Sequence, residues 1–240
     1  MAVFVFDIDD TLYLRGDAYM HAYHEVIGNI PGVTDLQVDV TSRYWSEVEF
    51  ARFEKGEITR EEMNILRVQD TYRALGLELS RERAQGFQDV YKEAQNRMTL
   101  LPEMRKVLQY LKEKQVTTGI ITNGASDHQR FKYHALQLEK FIPEENIIAS
   151  GDINIFKPDP EIFHAFERKI GAAAEDCWFV GDSPENDMQG ARAAGWHFIW
   201  ICWKDKGFGM PAAGQEIYAD YILQGERGIF DTVRKILGDA

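Results

Sequence analysis

The stretch that decides the fold is residues 3–11, which read VFVFDIDDT. Its first four residues are apolar and either β-branched or aromatic, which predicts a short strand buried on both faces. Such strands form parallel sheets, whose ligand sites lie at the carboxyl ends of the strands. The carboxylates of Asp7, Asp9 and Asp10 follow directly. The stretch therefore predicts an α/β fold with a polar site after its first strand.

Short apolar runs recur along much of the chain. Four more of them predict strands, at residues 116–121, 147–148, 178–180 and 197–202. Apolar residues at helical spacing lie between these runs, as in residues 104–111. Strands that alternate with helices predict a Rossmann-like α/β core, in which helices cover both faces of a parallel sheet.

The region after the first strand has a different pattern. Its apolar residues keep helical spacing, and it contains no clear strand run. It predicts a helical domain inserted into the α/β core. The expected domains are therefore a Rossmann-like core of residues 1–13 and 100–240 and an inserted helical domain of residues 14–99.

Composition narrows the class of protein. The chain has 240 residues, of which 45% are hydrophobic, and its formal net charge is -12. Such an acidic surface disfavours binding to nucleic-acid polymers or anionic membranes. The two cysteines, Cys177 and Cys202, lie in apolar runs and are expected to be buried free thiols. Because no signal peptide or membrane-spanning run is recognised, we expect a cytoplasmic protein. The sequence leaves the oligomeric state open.

Three further polar segments follow predicted strands or lie between them. They read TNG at residues 122–124, KPDP at residues 157–160 and GDSPEND at residues 181–187. Helix-capping turns are the simpler explanation for each segment taken alone. Two acidic turns at the same sheet edge, from distant parts of the chain, are harder to explain in that way. Clustered carboxylates repel one another unless a cation joins them, and oxygen ligands suit Mg²⁺.

The two other segments offer groups that bind anions. The hydroxyl group of Thr122 and the backbone N–H groups after it can form an anion site at the start of a helix. Lys157 precedes a proline, which favours an extended backbone and so a fixed direction for the ammonium group. A surface lysine and an ordinary turn remain the alternatives for these two segments.

The four segments, in this order, resemble the four motifs of the haloacid dehalogenase superfamily. The first motif, Asp-x-Asp-x-Thr, corresponds to residues 7–11, and the second to Thr122. The third motif corresponds to Lys157, and the fourth, Gly-Asp-x-x-x-x-Asp, to residues 181–187. The inserted region resembles the helical cap of the subfamily that carries its cap between the first two motifs. The resemblance thus spans nearly the whole chain.

This resemblance implies a magnesium-dependent phosphomonoester hydrolase. Asp7 would be the nucleophile that forms an aspartyl-phosphate, and Asp9 the general acid and then the general base. The implied Mg²⁺ ligands are the Asp7 and Asp182 carboxylates and the Asp9 backbone carbonyl group. Asp187 would support the metal shell or orient Lys157. The phosphoryl oxygens would be held by Thr122, the Asn123 amide and Lys157.

Other functions remain open at this stage. Family dehalogenases lack the second aspartate of the first motif, which is present here as Asp9. A phosphomutase would keep all four motifs. A non-catalytic binding module would normally have lost the nucleophile or a metal ligand, and neither is lost.

The substrate is expected to be a small phosphorylated metabolite. Residues 44–59 resemble the cap of pyrimidine 5′-nucleotidases, and an aromatic residue such as Trp45 or Phe53 could stack on a base. Nucleoside monophosphates are therefore the first expectation, and sugar phosphates or phosphoglycolate the second. The simpler alternative is that most of these aromatic residues pack the helical domain.

Overall fold

The chain forms two compact units. A computed structural model describes residues 2–207, 210 and 218–239. The sheet unit comprises Met1–Leu14 and Thr99–Ala240, and the helical unit comprises Arg15–Met98.

The described residues of the sheet unit form six strands that pair in parallel, in the order β3-β2-β1-β4-β5-β6. The strands are β1 Val3–Phe6, β2 Thr118–Thr122, β3 Ile147–Ala149, β4 Cys177–Gly181, β5 His197–Cys202 and β6 Tyr221–Gln224. The sheet confirms the predicted Rossmann-like α/β fold.

Strand β1 lies at the centre of the sheet. It pairs with β2 on one side and β4 on the other, so that Phe6 lies opposite both Ile120 and Val180. All four of its residues are buried, as expected for a strand covered on both faces. The strand order reverses at β1, which places a crevice at the carboxyl ends of β1 and β4.

The helical unit consists of four main helices. They are α1 Arg15–Ala22, α2 Asp35–Glu54, α3 Arg60–Ala74 and α4 Arg81–Gln95. Two of them begin with capping boxes, in which Thr34 pairs with Gln37 and Thr59 pairs with Glu62. Their apolar faces enclose a core of their own that includes Tyr72 and Phe87. The N-caps Thr34 and Thr59 each contribute about 0.5–2 kcal/mol to helix stability.

Six further α-helices lie in the part of the sheet unit that the structure describes. They are α5 Pro102–Glu113, α6 Ser126–Ala135, α7 Ser150–Ile153, α8 Glu161–Ile170, α9 Gln189–Ala193 and α10 Ile229–Ile236. Short 3₁₀ and π turns lie at Leu138–Lys140, Glu144–Asn146, Ala174–Asp176, Lys204–Lys206, Tyr23–Ile27 and Pro184–Met188. The four apolar residues of α5 are fully buried, which confirms its predicted amphipathic face.

Two details differ from the sequence predictions. Strand β2 begins at Thr118 instead of residue 116, because the backbone N–H of Val116 still bonds to the carbonyl of Leu111 at the end of α5. Strand β6 was not predicted.

Cys177 and Cys202 are buried free thiols, as predicted. Within the described ranges, no helix has the length and apolar character needed to cross a membrane.

Candidate active site

Asp7 is the first residue after strand β1. Its backbone N–H donates to the carbonyl of Val180 over 2.9 Å, which fixes the start of this loop against β4. Its side chain is buried, with 6% of the residue exposed. The Lys157 ammonium group donates to Asp7 Oδ1 over 2.7 Å. Asp7 is therefore a buried carboxylate with a cationic partner at the carboxyl edge of the central strand.

Asp9 is held by two donors of the sheet unit. Its Oδ1 accepts a hydrogen bond from the Tyr13 hydroxyl group, and its Oδ2 one from Lys132 Nζ, each over 2.5 Å. Lys132 is buried, whereas the Asp9 side chain is 25% exposed. The loop turns at Asp10, which has a φ of 56° and a carbonyl that accepts from the Trp203 indole N–H. The Asp9 carboxylate thus has a defined orientation.

Strand β2 delivers Thr122 and Asn123 beside this loop. The Asn123 side chain makes two bonds to the Lys157 backbone, accepting from its N–H over 2.8 Å and donating to its carbonyl over 2.9 Å. The buried side chain of Gln129 donates to the Asn123 carbonyl and accepts from the Thr122 hydroxyl group. Gly124 allows this approach, because a Cβ there would lie 2.3 Å from Gln129 Nε2. These bonds fix the loop after β2.

Lys157 lies at the centre of the site. The residue is 5% exposed, and its Nζ donates to Asp7 Oδ1 and Asp187 Oδ1, in both cases over 2.7 Å. The Lys157–Pro158 peptide bond is cis. The sequence predicts that Pro158 favours an extended backbone at Lys157 and so fixes the direction of the ammonium group. The two hydrogen bonds from the Asn123 side chain to the Lys157 backbone are a second constraint on that direction.

Strand β4 leads into the second acidic turn. Asp187 is 1% exposed, and its Oδ2 accepts from the backbone N–H of Ser183 over 3.1 Å. Gly181 is required here, because a Cβ at this position would lie 2.3 Å from Asp187 Oδ2. Asp182 is half-buried, and its carbonyl accepts from the Trp200 indole N–H.

Three carboxylates converge at this edge of the sheet. One oxygen atom from each of Asp7, Asp182 and Asp187 lies within 4.8 Å of the others. Lys157 donates to two of these carboxylates, Asp7 and Asp187, and brings one positive charge to the cluster. Oxygen donors in such a cluster suit a hard divalent cation. The residues therefore fit a Mg²⁺ ion.

The electrostatics of Asp7 agree with a site that needs a further cation. Burial raises the pKa of Asp7 to about 7, and Asp187 and Asp9 add to this, although Lys157 acts in the opposite direction. Burial also lowers the pKa of Lys157, but Asp187 and then Asp7 outweigh it and raise that pKa above its usual value. Lys157 donates to both carboxylates over the same distance of 2.7 Å, so its one positive charge is shared between Asp7 and Asp187. Asp7 therefore lacks a full counter-charge.

This arrangement predicts a pH-dependent effect of Asp7→Asn on the metal-free protein. A carboxyl group with a raised pKa favours the folded state at low pH, and that contribution is lost as the pH rises from its ordinary value of 3.8 through about 7. Asp7→Asn removes the charge, so the variant should unfold at a higher temperature than the wild type. The difference in Tm should grow by about 4–8 °C between pH 5.5 and pH 8.

Thermal unfolding in a chelator, at both pH values, measures this difference. Saturating Mg²⁺ should reduce it, because the cation then offsets the buried charge. A difference that stays constant with pH, or that shrinks as the pH rises, would contradict the assignment of a raised pKa to Asp7.

The structure links the residues that the sequence singled out. Lys157 joins Asp7, Asn123 and Asp187 directly. Gln129 joins Thr122 to Asn123, and Asp182 belongs to the acidic cluster. Asp9 points its carboxylate to Tyr13 and Lys132, so its predicted contribution to a metal would come from its backbone carbonyl.

Sequence reasoning missed three residues that shape the site, namely Tyr13, Gln129 and Lys132. The available signal was weak. Gln129 and Lys132 are three positions apart on one face of α6, directly after the loop that follows β2. A polar pair at that spacing is more often exposed, so only its burial here marks it as part of the site.

The fold and the site together define the class of protein. It is a parallel α/β protein whose acidic site contains a lysine and lies where the strand order reverses, at β1. A family profile for haloacid dehalogenase-like hydrolases matches residues 1–195. The chain belongs to this family.

Several characterised relatives match over part of the chain. A phosphoserine phosphatase from Thermus thermophilus is 32% identical over 120 residues, which cover 50% of this chain and 47% of the relative. An N-acylneuraminate-9-phosphatase from Rattus norvegicus is 33% identical over 48% of this chain and 44% of its own length. Haloacetate dehalogenase H-2 from Moraxella sp. is 28% identical over 50% of this chain and 51% of its own length. The chain thus spans about half the length of these relatives.

Solved structures share the fold over nearly the whole chain. The HAD-hydrolase YfnB from Bacillus subtilis, bound to magnesium, has a TM-score of 0.71 and 23% identity. The similarity covers 99% of this chain and 98% of YfnB. At this identity it supports the fold.

Proposed function

We propose that this chain is a magnesium-dependent phosphomonoester hydrolase that acts through an aspartyl-phosphate on Asp7. The observation that carries the proposal is the position of Lys157 Nζ, 2.7 Å from both Asp7 and Asp187, within a cluster that includes Asp182. A nucleophilic carboxylate, a fixed ammonium group and a cation-binding set are the groups that phosphoryl transfer requires. Two of the relatives described above are phosphatases, which agrees with this reaction.

The carboxylates of Asp7 and Asp182, which belong to the acidic cluster, would hold a Mg²⁺ ion in this proposal, together with the backbone carbonyl of Asp9. When bound, it would supply charge neutralisation between the anionic nucleophile and an anionic substrate. Asp187 already uses one oxygen for Lys157 and the other for the Ser183 N–H. We therefore assign Asp187 the orientation of Lys157 and not direct coordination.

Asp7 begins the reaction. Its carboxylate oxygen attacks phosphorus, the bond from phosphorus to the leaving oxygen breaks, and Asp9 donates a proton to that oxygen. Water then attacks the phosphorus of the aspartyl-phosphate and gives a proton to Asp9, while the bond between phosphorus and the Asp7 oxygen breaks and Asp7 leaves as a carboxylate. The products are the alcohol and inorganic phosphate, and both aspartates return to their starting state.

Three groups hold the phosphoryl oxygens in this proposal: the Thr122 hydroxyl, the Asn123 backbone N–H and the Lys157 ammonium group. The side-chain amide of Asn123 is bonded to the Lys157 backbone, so we assign it to positioning the lysine. Donors fixed in this way stabilise developing charge without reorganisation during the reaction.

Dehalogenation is the principal rival, because a haloacetate dehalogenase is among the relatives. A halide leaving group needs no proton, so such a reaction has no use for a general acid. Here Asp9 is present, is 25% exposed on its side chain and is held by two hydrogen bonds. This favours phosphate esters, whose alkoxide leaving groups need a proton.

For the substrate we propose a small phosphorylated metabolite, with nucleoside monophosphates first and sugar phosphates second. The helical unit offers aromatic surface for a base, since Tyr44 on α2 is 60% exposed and packs edge-on against Trp45. The relatives named for phosphoserine and N-acylneuraminate 9-phosphate favour a non-nucleotide substrate instead. Both classes belong in one test.

The test is phosphate release from a panel of nucleoside monophosphates, sugar phosphates, phosphoglycolate and phosphoserine. It is run with Mg²⁺, with EDTA, and with Asp7→Asn as the control. We expect release that requires Mg²⁺ and is lost in the variant. Chelation should lower the rate of phosphate release by at least about 100-fold, since a bound metal would stabilise the charge of the transition state by several kcal/mol.

The pattern across the panel then assigns the substrate class. A preference for nucleotides would support the first proposal, and a preference for sugar or amino-acid phosphates the second. Release that persists in EDTA or in Asp7→Asn would contradict the mechanism. If no panel member releases phosphate, while interconversion of sugar phosphates or halide release is found, a mutase or a dehalogenase replaces the proposed hydrolase.

A further inference from the structure

We propose that Lys132 is a positioning residue that holds Asp9 in the orientation needed for proton transfer. This inference rests on the proposed hydrolysis of phosphate esters. The observation behind it is an ion pair between the buried Lys132 Nζ and Oδ2 of the partly exposed Asp9, with a separation of 2.5 Å. Lys132 is not part of any of the four motifs found in the sequence.

The burial of Lys132 requires an explanation. Lysine side chains normally extend their ammonium group into water, yet Lys132 is only 4% exposed. Removing an ammonium group from water is costly unless a partner compensates for it. Asp9, 123 positions away in the chain, is that partner. The pair therefore fixes helix α6 against the loop that carries the first aspartates.

Helix α6 thereby connects two parts of the site. Gln129, one turn before Lys132, holds the Thr122 hydroxyl and the Asn123 carbonyl. Residues three apart lie on the same face of a helix. One face of α6 thus sets the position of the phosphoryl-binding loop and of the Asp9 carboxylate relative to each other.

Two donors act on Asp9 at once. The Tyr13 hydroxyl bonds to Oδ1 over 2.5 Å, while Lys132 bonds to Oδ2. Together they restrict rotation of the carboxylate. When the leaving group replaces one of these two donors, the oxygen that it contacts is already held in a fixed direction. Proton transfer requires hydrogen-bond geometry within a few tenths of an ångström, and a displacement of 1 Å can cost about 100-fold in rate.

The experiment compares two leaving groups. p-Nitrophenolate leaves without a proton, whereas the alkoxide of an alkyl phosphate needs one. The values of kcat/KM report on the first phosphoryl transfer for both substrates. We expect Lys132→Met to lower kcat/KM for the best alkyl phosphate of the panel by about 10–100-fold, but that for p-nitrophenyl phosphate by less than about 3-fold. Tyr13→Phe should show the same preference with a smaller loss.

The matched control is Arg130→Met. Arg130 lies on the same helix and pairs with Asp152, outside the site, so this variant should leave both kcat/KM values unchanged. A second control places Lys132→Met in an Asp9→Asn background. If Lys132 acts through Asp9, Lys132→Met should cause no further leaving-group-dependent loss of kcat/KM in the Asp9→Asn background.

The outcomes separate the two proposals. Equal losses on both substrates in Lys132→Met and Tyr13→Phe, or a leaving-group-dependent loss that persists in the Asp9→Asn background, would overturn the role of Lys132. The proposed hydrolase would still stand if Asp7→Asn abolishes release. Absence of wild-type release from both esters would overturn the proposed hydrolase and this inference with it.

Discussion

We expect Asp7→Asn to abolish phosphate release and to leave the fold intact. The amide retains the size of the carboxylate but cannot attack phosphorus, so kcat should fall by at least about 10⁴-fold. Lys157 keeps its second partner, Asp187, at 2.7 Å, which preserves the buried ion pair. Phosphate release and the far-ultraviolet circular dichroism spectrum, recorded on the same preparation, measure the two effects.

Asp231→Asn is the matched control for that change. Asp231 is exposed on α10 in the same unit, so the identical substitution there should leave the rate unaltered. Retention of more than a small fraction of the wild-type rate in Asp7→Asn would show that another group is the nucleophile. An unfolded Asp7→Asn variant would contradict the expected independence of the fold from this carboxylate.

Lys157→Met should remove both activity and stability. The substitution leaves the carboxylates of Asp7 and Asp187 buried without the ammonium group that contacts both. Loss of one partner from a buried ion pair costs about 3–5 kcal/mol, so the free energy of unfolding should fall by this amount in the absence of metal. Loss of a fixed transition-state contact should lower kcat by about 10²–10³-fold. Urea denaturation and phosphate release check the two quantities.

Two comparisons separate the stability effect from the chemical one. Lys169→Met removes an exposed lysine from α8 and should change neither quantity. Adding Asp187→Asn to Lys157→Met removes one unpaired carboxylate and should recover part of the stability but none of the activity. A Lys157→Met variant as stable as the wild type would contradict the buried ion-pair network, and one with full activity would contradict a role for Lys157 in phosphoryl transfer.

The sequence predicted the fold where burial leaves a clear pattern. Strands such as β1 are apolar at every position because both faces are covered, which makes them visible without a structure. Strand β6 lies at the edge of the sheet, and its residues are only partly buried or exposed. Its apolar signal is therefore weak. The start of β2 was misplaced because a bond within the turn after α5 uses the first apolar residue of the run.

The candidate site residues could be predicted from the sequence for a different reason. Asp7, Asp182 and Asp187 follow buried strands in the sequence, and parallel strands bring their carboxyl ends to one edge. The sequence could not reveal that the Asn123 side chain holds the Lys157 backbone, nor that Lys132 turns inward to Asp9. Both contacts join residues more than thirty positions apart, and a helix of polar residues gives no local sign of which one is buried.

The central claim is that Asp7 becomes covalently phosphorylated. The most direct test is a single turnover with the best substrate of the panel, stopped in acid and then treated with borohydride, which reduces an acyl phosphate. Peptide mass spectrometry locates the reduced residue. We predict reduction at Asp7 in the wild type and none at Asp9 or in Asp7→Asn. Phosphate release during turnover with Asp7 unmodified would contradict the account.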